Sequence, residues 1–208
     1  MPTAVYRNGT QQRVPSCTGI LADDVGGLIH WAWQCGVDGL DYRKMRDEAA
    51  KAGEVGHILV EAAVKQKIPV FPTDGARHLG EKCYKAFLDW QKQSKIRWTD
   101  SELSLVSENH QFGGTIDLIG TVPGSNSYVL GDVKTGKLYP KYLMQIAAYG
   151  ELFRECTGYP VKTYHLLRFD RETGDFAHYQ FDDLEDAWQG FQLRLKLYHL
   201  MAKLKKRV

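Results

Sequence analysis

The sequence predicts an α/β protein, with a mixed central sheet flanked by helices and a helical elaboration ahead of it. Three observations carry this. Helix-period apolar patterning dominates the first half, to about residue 94. Strand-like runs then follow closely at 102–108, 112–122 and 128–134. A helical pattern at 139–157 separates these from a strand pair and a closing helix. The order is helices, three strands, helix, two strands, helix. The expected organisation is one domain over 1–208, with a helical part at 1–95 and a sheet core at 96–208.

Residues 1–14 read as an irregular start or a single strand. Pro15-Ser16-Cys17-Thr18 then reads as a turn or helix cap, with hydroxyls that also suit phosphate contact. Trp31 and Trp33 lie in an apolar helical stretch and are expected in the core, base stacking being the alternative. Residues 41–67 read as one long helix or two abutting ones, with Gly53 as the break. His57 and Glu61, four apart, share a helix face. Ile68–Gly75, with two prolines, reads as a loop. Residues 76–94 return to helix, with Leu79, Cys83, Ala86, Phe87 and Trp90 on one side. Glu102–Glu108 alternates weakly. The 139–157 helix ends at Gly158-Tyr159-Pro160. A hairpin is expected at 161–181 around Arg171-Glu172-Thr173-Gly174. The last helix, over 182–204, is expected to be capped by an Asp. Its inward stripe would be Leu184, Trp188, Phe191, Leu195 and Leu200.

Composition excludes several classes. No apolar run is long enough to span a bilayer, and the first residues lack the apolar core of a signal peptide. A cytoplasmic protein with no membrane partner is the expectation. Net charge is only +2, so charge alone announces no nucleic acid. The basic runs at 82–97 and 203–207 read as solvated helix faces. The cysteines at 17, 35, 83 and 156 form no C-x-x-C pair, which argues against a zinc site or disulfide framework. They read as small core residues.

The stretch 113–149 concentrates the chemistry. Asp117 interrupts an apolar strand. A turn at Pro123-Gly124-Ser125-Asn126 leads to a second strand carrying Asp132 and Lys134, which point the same way. In a hairpin about that turn Asp117 lies roughly opposite Asp132, to within one or two residues of register. Facing carboxylates repel, and a hard divalent cation such as magnesium or manganese removes the penalty. With Lys134 beside it, such a pocket suits metal-assisted attack on a phosphodiester.

Gly114-Thr115-Ile116-Asp117, Asp132-Val133-Lys134 and Gln145-Ile146-Ala147-Ala148-Tyr149 together resemble a PD-(D/E)XK nuclease of the RecB-like exonuclease branch. That branch carries G-x-x-D, D-x-K and Q-x-x-x-Y motifs in this order. Gly53-Glu54-Val55-Gly56-His57 resembles its upstream histidine helix. Pro15-Ser16-Cys17-Thr18 resembles the P-S-x-T start of phage and mitochondrial-type single-strand exonucleases. The resemblance spans 15 to about 150, and its force lies in the ordered set.

The resemblance implies a restriction-endonuclease-like fold and a magnesium- or manganese-dependent DNA exonuclease. It implies His57, Asp117, Asp132 and the Val133 carbonyl as metal ligands. Lys134 would orient the attacking water, and Gln145 would hold the lysine, water or phosphate. Tyr149 would pack beside the site or touch DNA, as would Ser16 and Thr18. Glu61 would be second to His57, reach a second metal through water, or sit on the surface. An iron–sulfur cluster is not expected, because only Cys156 follows the motifs. The expected partner is DNA, single-stranded or with free ends. Without a P-loop here, any helicase would be a separate protein, as would a recombinase or single-strand-binding protein. A phage-encoded role in replication, recombination or repair is the analogy. An endonuclease on the same site, or a non-cutting DNA-end-binding module, are the alternatives.

Overall fold

The computed structural model describes residues 4–22, 26–65, 67, 69, 70, 74–170, 173 and 175–207, leaving aside the side chains of 26–28, 48–54 and 74–83. The side-chain roles expected for Leu79 and Cys83 therefore lie outside the described residues. So do Ile68 and Pro72 of the loop, and Arg171, Glu172 and Gly174 of the turn.

Two strands, β1 (Tyr6–Arg7) and β2 (Arg13–Val14), form a small antiparallel hairpin where an irregular start or one strand was expected. Asn8 closes it, accepting from Gln12 N and Thr10 Oγ1 through its side chain. Helices α1 (Cys17–Ile20), α2 (Gly26–Val37), α3 (Tyr42–Val64) and α4 (Asp74–Ser94) follow. Gly53 does not break α3, which runs unbroken through it. Five strands then build the main sheet: β3 (Arg97–Ser107), β4 (Phe112–Thr121), β5 (Tyr128–Thr135), β6 (Val161–Phe169) and β7 (Phe176–Phe181). Helix α5 (Pro140–Thr157) crosses from β5 to β6, and α6 (Glu185–Lys205) closes the chain.

The strands lie in sequence order, β3-β4-β5-β6-β7. Only β5 and β6 run parallel, as a crossover through α5 requires. The sheet is buried on both faces. On one, α1, α5 and α6 cover Phe112, Ile116, Ile119 and Leu130 with Cys17, Leu152, Phe153 and Phe191. On the other, α3 and α4 cover Trp98, Leu118, Val129, Val133 and Leu167 with Leu59, Val60 and Phe87. This is the mixed sheet between helices that the patterning predicts.

Several expectations change in detail. Strand β3 begins at Arg97, five residues early, because a bulge between Trp98 and Asp100 breaks the alternation there. Trp33 is exposed rather than in the core, and stacks on His30. Cys17 and Cys35 are buried, but Cys156 is exposed and donates to Val106 O. Gly158 ends α5 in the left-handed conformation (φ 75°), as its sequence position predicts. The N-cap position of α6 is Leu184, and Asp183 accepts from Glu185 N from one residue further out. Leu200 faces out, and Tyr198 packs against the core in its place.

Candidate active site

The site lies where β4 and β5 part. Their ladder runs from Thr121↔Tyr128 to Leu118↔Gly131 and ends there. Beyond it β4 stays paired with β3, and β5 with β6. The next residues along, Asp117 and Asp132, face each other across the fork. The fork strips the Val133 N–H of a strand partner, and Asp117 Oδ2 accepts from it at 2.8 Å instead. An aspartate here thus satisfies a buried backbone donor while bringing charge to the fork.

A second irregularity aims Asp117. Ile116 packs on the α5 face and Leu118 on the α3 face, so the strand alternation slips by one residue between them. Across the ladder, Ser101 pairs with Leu118 and Leu103 with Ile116. Glu102 between them has φ 58°, the left-handed region that disfavours any residue but glycine. The slip brings Glu102 and Asp117 to His57 on α3. His57 Nδ1 lies 3.2 Å from Glu102 Oε1 and 3.9 Å from Asp117 Oδ2. One ligand atom from each of the three residues falls within 4.8 Å of the others. Gly56 permits this approach of α3, because a Cβ there would stand 3.1 Å from Val133 Cγ1.

Asp132 and Lys134 stand on the other face of β5. Asp132 is fully buried, and its Oδ2 meets Lys134 Nζ at 2.5 Å without receiving a well-aligned hydrogen bond. Burial pushes the Asp132 carboxyl up to about 7, against the pull of Lys134, with Asp117 adding to the rise. Burial opposes charge on Lys134, but Asp132 and Asp117 outweigh it and hold the ammonium charged. The Tyr142 ring lies 5.0 Å from Nζ. Burial likewise opposes protonation of His57, and Glu102 and Asp117 override it, raising its pKa.

Helix α5 supplies the backing. Gln145 Nε2 donates to the Tyr149 hydroxyl at 2.9 Å and stands 3.5 Å from Asp132 Oδ1. Tyr149 packs over Gly114, where a Cβ would come within 2.6 Å of Cε1. The glycine of the G-x-x-D pattern is thus a packing requirement for the Q-x-x-x-Y helix. Ser16 caps α1 by accepting from Gly19 N, and its Oγ lies 3.3 Å from Thr18 Oγ1.

An open cleft of about 510 Å³ lies at the fork, with Asp132 and Glu102 behind its lining rather than part of it. Its lining includes His57, Asp117, Val133, Lys134, Gln145 and Tyr149, together with Ser16 and Thr18. Glu61 does not line it and pairs at the surface with Lys65 at 2.5 Å. Glu102, Tyr142 and the Tyr6–Thr115 hydroxyl pair (2.8 Å) are additions that sequence reading missed. For Glu102 no sequence signal was available: its approach to Asp117 depends on the left-handed backbone at Glu102, which alternation does not show.

The donor set suits such an ion. It offers an imidazole nitrogen and carboxylate oxygens, beside a buried carboxylate with an oxygen short of hydrogen bonds. Carboxylates converging without a counter-ion are unfavourable: burial first and Asp117 after it raise Asp132, and Glu102 and Asp117 raise His57.

The sequence profile of the PD-(D/E)XK nuclease superfamily matches residues 6–206. The chain belongs to that superfamily. Among solved structures it is similar to a presumed exonuclease from Eubacterium rectale, at 15% identity and TM-score 0.50. That match takes in 70% of this chain and 64% of the other. It is also similar to an alkaline exonuclease from Laribacter hongkongensis, at 14% identity and TM-score 0.34, over 76% of this chain and 93% of that one. The Laribacter enzyme has also been solved with dAMP. No curated protein matches the sequence closely enough to count as a relative.

Proposed function

We propose that this chain is a divalent-metal-dependent deoxyribonuclease that degrades DNA from an end, with single strands as its preferred substrate. The observation that supports it best is the convergence of His57, Glu102 and Asp117 near the Asp132–Lys134 pair at the strand fork, where His57, Asp117 and Lys134 line one cleft. His57, Glu102 and Asp117 would hold magnesium or manganese, with Asp132 and the Val133 carbonyl as further ligands. The imidazole tilts the set toward manganese. When bound, the ion supplies Lewis-acid polarisation of the phosphate and a water of lowered pKa.

The chain's own groups do the rest. Lys134, kept charged by Asp132 and Asp117, orients the attacking water and faces the charge that builds on the phosphate. The Tyr142 ring and Asp132 fix the lysine's direction. Gln145, fixed by Tyr149, holds the Asp132 side of the cleft. Ser16 and Thr18 stand at the cleft wall as phosphate contacts. Exposed Trp33 and its stacked neighbour His30 offer a face for unpaired bases. The whole acts as one nuclease domain, with the segment up to residue 95 supplying His57. Among the described residues no helix is long and apolar enough to cross a membrane.

The test is digestion of linear single-stranded DNA labelled at one end, beside a closed circle, with magnesium, manganese or EDTA. Metal-dependent loss of the linear strand with an intact circle is expected, and the label gives the polarity. A cut circle would mean an endonuclease on the same site. Tight binding with no cutting in either metal would leave a DNA-end-binding module.

A further inference from the structure

Helix α6 carries two apolar stripes on opposite sides. The inward one, Trp188, Phe191, Leu195 and Tyr198, packs against the core. The outward one is Leu193, Leu197, Leu200 and Leu204, which are 70%, 46%, 48% and 51% exposed, with Met201 beside them at 42%. Leu193 and Leu197 each lie about 200° around the helix from Leu195, so they face away from the core. The outward leucines are spaced four, three and four residues apart, the repeat of a coiled-coil seam. A stripe this narrow differs from the broad apolar face of a helix lying in a membrane surface.

The flanks of this seam carry one sign of charge. Arg194, Lys196 and Lys203 border the leucines, and Lys205, Lys206 and Arg207 follow. No Asp or Glu occurs after Asp186. A second copy of the chain docking here would set the cations Arg194, Lys196 and Lys203 against the same cations. A helix with acidic flanks would instead meet complementary charge along the whole seam.

We propose that the outward face of α6 is a docking site for an amphipathic helix of a separate protein, with a leucine-type seam and glutamate- or aspartate-rich flanks. The seam residues are not among those lining the cleft, so the proposal stands independently of the nuclease reading. It tethers the chain to a partner by a surface that leaves the cleft open.

The test uses the full chain and three fluorescent synthetic peptides of about four heptads each. One has Leu at the seam and Glu at the flanks, one is its scramble, and one has the same seam with Lys flanks. The acidic peptide is expected to bind, with anisotropy showing roughly tenfold or greater preference over the other two. Added salt should weaken it. Leu197→Glu with Leu200→Glu should abolish binding while leaving the DNA digestion rate unchanged. A second variant, Lys196→Glu with Lys203→Glu, keeps the seam and should shift preference to the Lys-flanked peptide. The proposal is overturned if the acidic peptide binds no better than its scramble, or if its binding survives both double substitutions. It is equally overturned if sedimentation shows the seam leucines holding a homodimer, or if anionic vesicles compete the peptide off.

Discussion

Glu102 is the residue whose place in the site was least visible in the sequence, and its backbone makes a sharp prediction. At φ 58° it occupies a region that costs a non-glycine residue about 1–2 kcal/mol. Glycine escapes that cost but loses about 0.5–1 kcal/mol in chain entropy. Glu102→Gly and Glu102→Ala both remove the carboxylate and its contact with His57, so they differ in this balance alone. The glycine variant should be the more stable by about 1 kcal/mol, which for a chain of this size is about 2–4 °C in Tm. Anywhere else in a strand the order would be reversed. Both variants should also lose a metal ligand. In wild type, manganese at a hundredfold excess over its Kd should add about 2.7 kcal/mol of stability. Thermal denaturation followed by circular dichroism, in EDTA and in manganese, reads both effects. Alanine as stable as glycine would refute the strained backbone. A full manganese shift in both variants would remove Glu102 from the ion site.

Lys134→Ala should lower cleavage by about 10²–10⁴-fold in single-turnover assays. The fold should survive it, because Asp132, with its carboxyl near 7, can take up a proton when its partner is lost; a collapsed circular dichroism spectrum would contradict this. Manganese affinity, measured by calorimetry, should rise with pH through about 7, where Asp132 loses its proton, and flatten only once His57, whose pKa is also raised, has lost its own. An affinity independent of pH would argue against both as ligands. Gly114→Ala should destabilise the protein by about 1–3 kcal/mol, because the added methyl meets the Tyr149 ring; an unchanged melting curve would show that α5 shifts freely. His165, buried beside His178 at 2.7 Å, has its pKa lowered to about 4 by burial first and then by that neighbour. The unfolded chain takes that proton first, so the stability is fully present above about pH 6.5 and is lost as pH falls toward 4, by up to about 3 kcal/mol. His165→Gln should flatten that part of the pH–Tm curve.

The fold was legible because its strands and helices announce themselves by period. The β4–β5 hairpin and the Asp117–Asp132 confrontation followed from a turn and a two-residue alternation. The α5 helix followed from its stripe and its terminal Gly158. Two features stayed hidden through one physical cause, a departure from regular period. The bulge near Trp98 hid the start of β3, and the slip at Asp117 hid the partnership with Glu102. An alternation reading turns Glu102 toward solvent, whereas a single left-handed residue turns it into the site. Trp33 escaped for the opposite reason: its helical pattern is regular, but the described residues leave the apolar face it marks uncovered. The same holds for the outward leucines of α6. Periodicity shows which residues share a face, and only packing shows whether that face is filled.

The most direct measurement of the central claim is the rate of linear single-strand digestion against free manganese, for wild type and Asp117→Asn. Asp117 touches both halves of the site, accepting from Val133 N and standing 3.9 Å from His57. Wild type should show a saturating metal dependence and no cleavage in EDTA, and the folded variant background rates at every manganese concentration. Cleavage in EDTA, or an Asp117→Asn curve that overlays wild type, would contradict that claim.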